Sequence, residues 1–344
     1  MLAGIALSLL LLDLTARLLA IWVALPFFEG SPPLTGRHDA PDESAVNLSC
    51  STVDGQTIRM AMFQPSDAGR LSQRPKAVIV FCPELNSDRW SAPAYLSSLL
   101  AEGFCVVGFD FRSQGESDPV PGYRPTHWLT QYEVDDVLAV VREVQSRPGL
   151  KGLAVLLYGV SRGGSAAIAA AARLPGVIAV ATDGAFTPGN MMLHFFYRWA
   201  RLYVPEWLPR LLPRWHIEIT LWMLQQVSAW RRKVRYVHLE PALRRLRERP
   251  VLMISGERDN YVLPKFTREL HELTGQSDDR LWIVPSAKHN GSRLIDPEAY
   301  DLRLRMFFLE ALYGGANVPA PHFDPDTRRV SQPALVPDVS GSPS

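Results

Sequence analysis

Five residues constrain this chain more than any others: Gly159-Val160-Ser161-Arg162-Gly163. The apolar run Leu153-Ala154-Val155-Leu156-Leu157-Tyr158 precedes them, and the small-residue stretch Gly164-Ser165-Ala166-Ala167-Ile168-Ala169 follows. A buried strand passing directly into a helix, with a serine at the bend, holds a hydroxyl proud of a sheet. Glycines at 159 and 163 stand where Cβ atoms would crowd the turn. The first amides of the helix then face any negative charge developing above the serine. The five-residue pattern alone arises by chance; here it has its strand and its helix.

The rest of the chain repeats that alternation. Buried strand-like runs fall at about 76–82, 105–111, 152–158, 177–182, 251–255 and 281–284. Helical stretches near 91–102, 130–147, 162–173, 263–274 and 296–312 separate most of them. Two runs between about 47 and 65 are joined by Asp54-Gly55, a hairpin signal. This order predicts an α/β fold, a mainly parallel sheet covered by helices on both faces. The interval between 182 and 251 is too long for one crossover and predicts an inserted helical cap. The expected organisation is a core at 47–186 and 250–314 with a cap at 187–249. A linker at 29–46 carries Pro32 and Pro33, and a Pro-rich disordered tail is expected over 315–344.

Residues 1–28 are almost wholly apolar, long enough for a membrane-crossing helix. Asp13 and Arg17, four residues apart, can neutralise each other within it. The start lacks the basic region and cleavage site of a signal peptide, so an uncleaved N-terminal anchor is expected. Neither flank is rich enough in Lys or Arg to set its orientation. Net charge is +1, which gives no field suited to nucleic acid. The charge is uneven, however: residues 198–249 hold 12 Arg or Lys against 4 Glu. Aromatic residues interleave with them, Trp215, Trp222 and Trp230 among others. Ile219, Trp222, Met223 and Trp230 fit one helix face, which usually means packing on a core. The same mixture suits an anionic membrane interface and an apolar acyl pocket. Cys50, Cys82 and Cys105 match no metal spacing and read as buried thiols.

A serine hydroxyl needs a base, and the base needs an orienting acid. Asp259 follows the strand at 251–255, and His289 lies on the loop after the strand at 281–284. Both fall at carboxyl ends of parallel strands, where ligands sit in open α/β sheets. Asp183, also at a strand end, is the rival acid. His127, His194, His216 and His238 precede the acid, His38 and His322 lie in linker and tail, and His271 reads as a solvated helix residue. An oxyanion needs two amides. Arg162 supplies one, and Leu85, in Cys82-Pro83-Glu84-Leu85-Asn86, is expected to supply the second. The Arg162 side chain is expected to pair with Glu84 or reach the surface. In Phe109–Ser117, Asp110 and Arg112 are expected to pair with each other, with Gly115 at a tight turn. Asp135 and Asp136 read as surface positions.

The stretches Gly159–Gly163, Phe109–Ser117, Gly256–Asp259 and the His289 loop together resemble the α/β-hydrolase superfamily. Serine aminopeptidase S33-like and lysophospholipase-like members are the most similar, over about residues 50–314. The resemblance implies nucleophile Ser161, acid Asp259, base His289 and oxyanion amides at Leu85 and Arg162. The ordered triad at strand ends and the apolar cap lead to the expectation of a metal-free serine hydrolase of carboxylic esters or thioesters with an apolar acyl chain, needing no cofactor. Many members carry His-Gly before the oxyanion residue, where this chain has Pro83-Glu84. A peptidase, and an inactive scaffold serving as a membrane-bound binding protein, are the alternative expectations.

Overall fold

The computed structural model describes residues 2–31, 35–65, 74–201, 203–205, 207 and 211–314. Eight strands form one sheet: β1 Val46–Ser51, β2 Thr57–Phe63, β3 Val78–Cys82, β4 Cys105–Phe109, β5 Val155–Val160, β6 Val177–Asp183, β7 Val251–Gly256 and β8 Leu281–Val284. Their order is β1-β2-β4-β3-β5-β6-β7-β8. The β1–β2 hairpin joins antiparallel to β4, and every later pairing is parallel.

Strand alternation divides the core. Val78, Val80 and Cys82 of β3 enter one apolar cluster, while Ile79 and Phe81 enter the other. Successive side chains of a strand point to opposite faces, so a strand wholly buried on both reads as an unbroken apolar run. On the first face lie α3 Gln131–Ser146 and α4 Arg162–Ala171, and on the second α2 Ala92–Ala101 and α10 Pro297–Tyr313. The α3 helix opens on a capping box, Thr130 with Glu133.

The long interval holds α5 Pro188–Ala200, α6 Arg214–Arg232 and α7 Glu240–Arg245. Residues of the first two share a separate apolar cluster with Trp128, Phe186 and Phe266. Leu239, Leu243 and Leu246 around α7, within the interval expected as cap, join the sheet-face core. The chain rejoins the core where Gln131 N donates to Arg235 O and Val237 N to Leu129 O. Residues Ile219, Trp222 and Trp230 face outward, against the expectation of core packing, and Ile217, Leu224 and Ser228 form the inner face of α6.

The N-terminal segment is one helix, α1 Leu2–Glu29, long and apolar enough over Ala3–Glu29 to cross a membrane, with mean hydropathy 1.9. It does not stand apart. Arg17 donates to Asp13 (2.7 Å), to His216 O (2.9 Å) and to Thr220 Oγ1 (2.7 Å), and Ser228 Oγ donates to Glu29 Oε1 (2.9 Å). These contacts set α1 parallel to α6. Phe28 stacks on Trp128 at 5.1 Å, and Trp128 Nε1 donates to Phe28 O. The remaining helices are α8 Pro264–Thr274 and α9 Ser292–Ile295. The expected tail at 315–344 with His322, as well as Pro32, Pro33 and Arg210, lies outside the described residues.

Candidate active site

The turn from β5 into α4 is tight. Ser161 adopts φ +52° and ψ −120°, an uncommon conformation for a side-chain-bearing residue, and its amide donates to Asp183 O at 2.7 Å. A Cβ on Gly163 would fall 2.2 Å from Cys82 O and 2.3 Å from Pro83 O. Glycine there lets the serine turn press directly against the turn leaving β3, which carries Leu85. Leu85 lines the same cavity as Ser161 and His289.

Two further strand ends converge on Ser161. Glu257 N donates to Val284 O and Arg258 N to Ala287 O, which binds the turn after β7 to the loop after β8. Across that seam His289 Nδ1 lies 2.6 Å from Asp259 Oδ2, and His289 Nε2 lies 3.0 Å from Ser161 Oγ. The other Asp259 oxygen accepts the amides of Tyr261 (2.9 Å) and Val262 (2.8 Å), fixing the carboxylate. The rival acid, Asp183, is committed elsewhere: Ser292 Oγ donates to it at 3.0 Å and Tyr300 OH at 3.3 Å. Burial pushes the Asp183 carboxyl up to about 6, partly offset by the Ser292 hydrogen bond.

Glu84, the departure from the His-Gly pattern, is buried and bonded. It accepts the Arg37 amide at 3.1 Å, and Asn290 Nδ2 donates to its other oxygen. Burial holds this carboxyl above its ordinary range, while the Arg37 amide and the nearby His289 work the other way. The segment around Arg37, expected as linker, is thereby part of the site wall. Ser87 Oγ donates to Arg37 O at 2.7 Å, and Thr35, Gly36 and Arg37 line the Ser161 cavity.

Three expected side-chain partners differ. The Arg162 guanidinium turns inward to Thr126 O (2.9 Å) and Glu133 (3.2 Å), not to Glu84 or solvent, because α3 presents a buried carboxylate on that side. Asp110 holds the Arg89 amide at 2.7 Å and the Arg89 guanidinium, not Arg112. Arg112 instead donates from Nε to Asp136 Oδ1 at 2.8 Å and pairs with Asp54 at 2.7 Å. Asp136 is therefore a core residue rather than a surface one, as is His271, on the inner face of α8.

Sequence reasoning missed Tyr261, Asn290 and His127. The first two follow the acid and the base within two residues, a usable signal; His127 has none. Its ring is buried against Trp128 and its two nitrogens have no protein partner. Burial, with Arg162 and Arg232 nearby, holds it at about 3, below the ordinary 6.5. Below about pH 6.5 the unfolded chain takes up a proton here that the folded chain refuses. Its contribution is therefore complete above that value and is lost as pH falls toward about 3. His127→Phe should lose less Tm than wild type between about pH 7 and about pH 5. Equal losses in thermal melts would remove His127 as a source of acid sensitivity.

A sequence profile described as the alpha/beta hydrolase family matches residues 79–301. The chain belongs to that family. Solved structures agree on the fold. A Pyrococcus furiosus esterase, Pf2001, is 18% identical with TM-score 0.56, over 82% of this chain and 99% of its own. The alpha/beta hydrolase GrgF from Penicillium sp. sh18 is 16% identical with TM-score 0.55, over 78% and 99%. Est1E from Butyrivibrio proteoclasticus, with ferulic acid bound, is 15% identical with TM-score 0.54, over 77% and 99%.

Proposed function

We propose that the protein is a serine hydrolase cleaving carboxylic ester or thioester bonds of an apolar, lipid-like acyl substrate, held at a membrane by α1. The observation that carries this reading is the relay Ser161–His289–Asp259, at 3.0 Å and 2.6 Å, on a strained strand-to-helix turn. Ser161 Oγ attacks the carbonyl carbon while His289 Nε2 takes its proton. Asp259 accepts from Nδ1–H, so the imidazole keeps the tautomer whose Nε2 is free to act as base. The amides of Leu85 and Arg162 receive the oxyanion. His289 then returns the proton to the leaving alcohol or thiol, and water, activated the same way, releases the acid.

The inactive-scaffold reading draws only on Pro83-Glu84. The hydrogen bonds of Glu84 to Arg37 N and Asn290 occupy both of its oxygens, which weakens the objection. The test is covalent labelling by a fluorophosphonate probe. Wild type should label and hydrolyse p-nitrophenyl esters, and Ser161→Ala should do neither. Unlabelled wild type would leave the scaffold reading standing, and faster cleavage of aminoacyl amides than esters would favour the peptidase.

A further inference from the structure

Where α1 docks on the cap, the two enclose a groove of about 690 Å³. Ala20 and Ala24 of α1, Phe195 and Trp199 of α5, Leu224 of α6 and Trp128 line it, and none of its described lining residues is charged. It shares no residue with the polar cavity of about 610 Å³ beside Ser161, whose wall includes Arg37, Glu84, Asn290 and Arg293.

Helix length places this groove in the bilayer. Ahead of Asp13, the first residue tied to α6, α1 has only residues 2–12. At 1.5 Å per residue they reach about 16 Å, against about 30 Å of hydrocarbon. A membrane-crossing α1 therefore carries about nine docked residues, from Asp13 to about Ile21, and the groove mouth beside Ala16, Leu19 and Ala20, into the lipid. The polar groups met on the way have partners, as a medium without water demands: Asp13, Arg17, His216 and Thr220 bond one another, Thr15 Oγ1 donates to Leu11 O at 2.8 Å, and Arg214 and Glu218, on the exposed side of α6, pair at 2.7 Å. Leu18, Leu19, Trp22 and Phe27 stay exposed along the docked half, so apolar residues of α1 face outward beside the groove as they do at the helix tip.

The inner end of the groove approaches the relay. Phe195 packs 5.5 Å from Tyr261, and Tyr261 packs 5.1 Å from the His289 ring. His127, beside Trp128, completes this aromatic partition at 6.1 Å from Tyr261. Both ring nitrogens of His127 and the Tyr261 hydroxyl are buried without a protein partner. Buried polar atoms cost stability unless something bonds them. Here they stand where an apolar tail would give way to an ester.

We infer that the groove is the acyl-chain subsite, receiving the tail of a bilayer lipid ester laterally. His127 and Tyr261 meet its ester end, and the polar cavity takes its alcohol side. The inference rests on the serine-hydrolase reading and names its substrate, an amphipathic ester drawn from the membrane. Substrate choice then belongs partly to α1, which is wall as well as anchor.

Two measurements on the full chain test this. Ala20→Trp fills the groove from an exposed helix position. It should lower the ratio of kcat/KM for p-nitrophenyl palmitate over p-nitrophenyl acetate about tenfold. The same change at Leu10, outside the groove, should leave the ratio where it was. An unchanged ratio in Ala20→Trp overturns the assignment. Independently, Ser161→Ala protein in phosphatidylcholine vesicles bearing a diazirine on the acyl chain should cross-link within residues 188–200. That labelling should disappear when Ala20→Trp is added. Cross-links confined to residues 3–12 would overturn the groove whatever the activity. Wild type that hydrolyses neither ester and resists fluorophosphonate would instead refute the hydrolase reading, leaving the cross-links to decide the groove alone.

Discussion

Replacing Asp259 by Asn is expected to lower kcat by about four orders of magnitude while the protein stays folded. The Asp259 oxygen that accepts the Tyr261 and Val262 amides can do so equally well as an amide oxygen. The other position is where the variant fails. An Asn amino group would meet His289 Nδ1, now 2.6 Å from a carboxylate oxygen, and would favour the tautomer protonated on Nε2. That nitrogen, 3.0 Å from Ser161 Oγ, then carries a proton and accepts none. Steady-state kinetics on a soluble ester and the rate of fluorophosphonate labelling should fall together, and circular dichroism should not change. Asp183→Asn is the control, since Asp183 answers to Ser292 and Tyr300 rather than to the imidazole. If Asp183→Asn costs the larger factor, the acid has been assigned to the wrong strand end.

The middle of the sheet was legible because its strands are buried on both faces. Val78–Cys82 and Val155–Val160 are unbroken apolar runs, which, alternating with helical stretches, fit a covered parallel sheet. Ser161, Asp259 and His289 were legible for a related reason: each lies at the carboxyl end of such a run, so topology converges residues that sequence separates. Side-chain pairing was not legible, because it depends on how helices lie across the sheet. Nothing near Arg112 in sequence marks Asp136, twenty-four residues on, as its partner. Asp110 is closer, yet it is taken by Arg89. The N-terminal helix illustrates the same limit. Composition exposes an apolar helix, but the docking of its second half against the cap follows from contacts such as Arg17 with His216 O. The cap aromatics misled for a further reason, since an apolar stripe does not say whether its partner is protein or lipid. Trp222 and Trp230 face away from the core.

The largest loss of stability is expected from Arg112→Met, about 3–5 kcal/mol. Arg112 and Asp136 are both fully buried, and the guanidinium also lies 4.6 Å over the Tyr132 ring. Burial already pushes the Asp136 carboxyl up to about 7, with Arg112 opposing it. Without the arginine that opposition vanishes and the carboxyl rises further. A raised folded value means stability that is intact below the ordinary carboxyl range and lost as pH climbs through the raised one. Below about pH 7 both folded proteins hold the Asp136 proton, so the defect of Arg112→Met should be level there and grow as pH rises above about 7, as measured by urea titration. Arg112→Met with Asp136→Leu should recover more than half of the loss, because no charge is then stranded. A defect independent of pH would assign Arg112 a packing role only. The consequence reaches the active site through α3. Glu133, one turn before Asp136 on the same helix, holds the guanidinium of Arg162, whose amide is the proposed oxyanion donor beside Ser161. Loosening α3 at Asp136 should thus depress kcat more than KM at temperatures well below the melt, since an oxyanion donor acts mainly in the transition state.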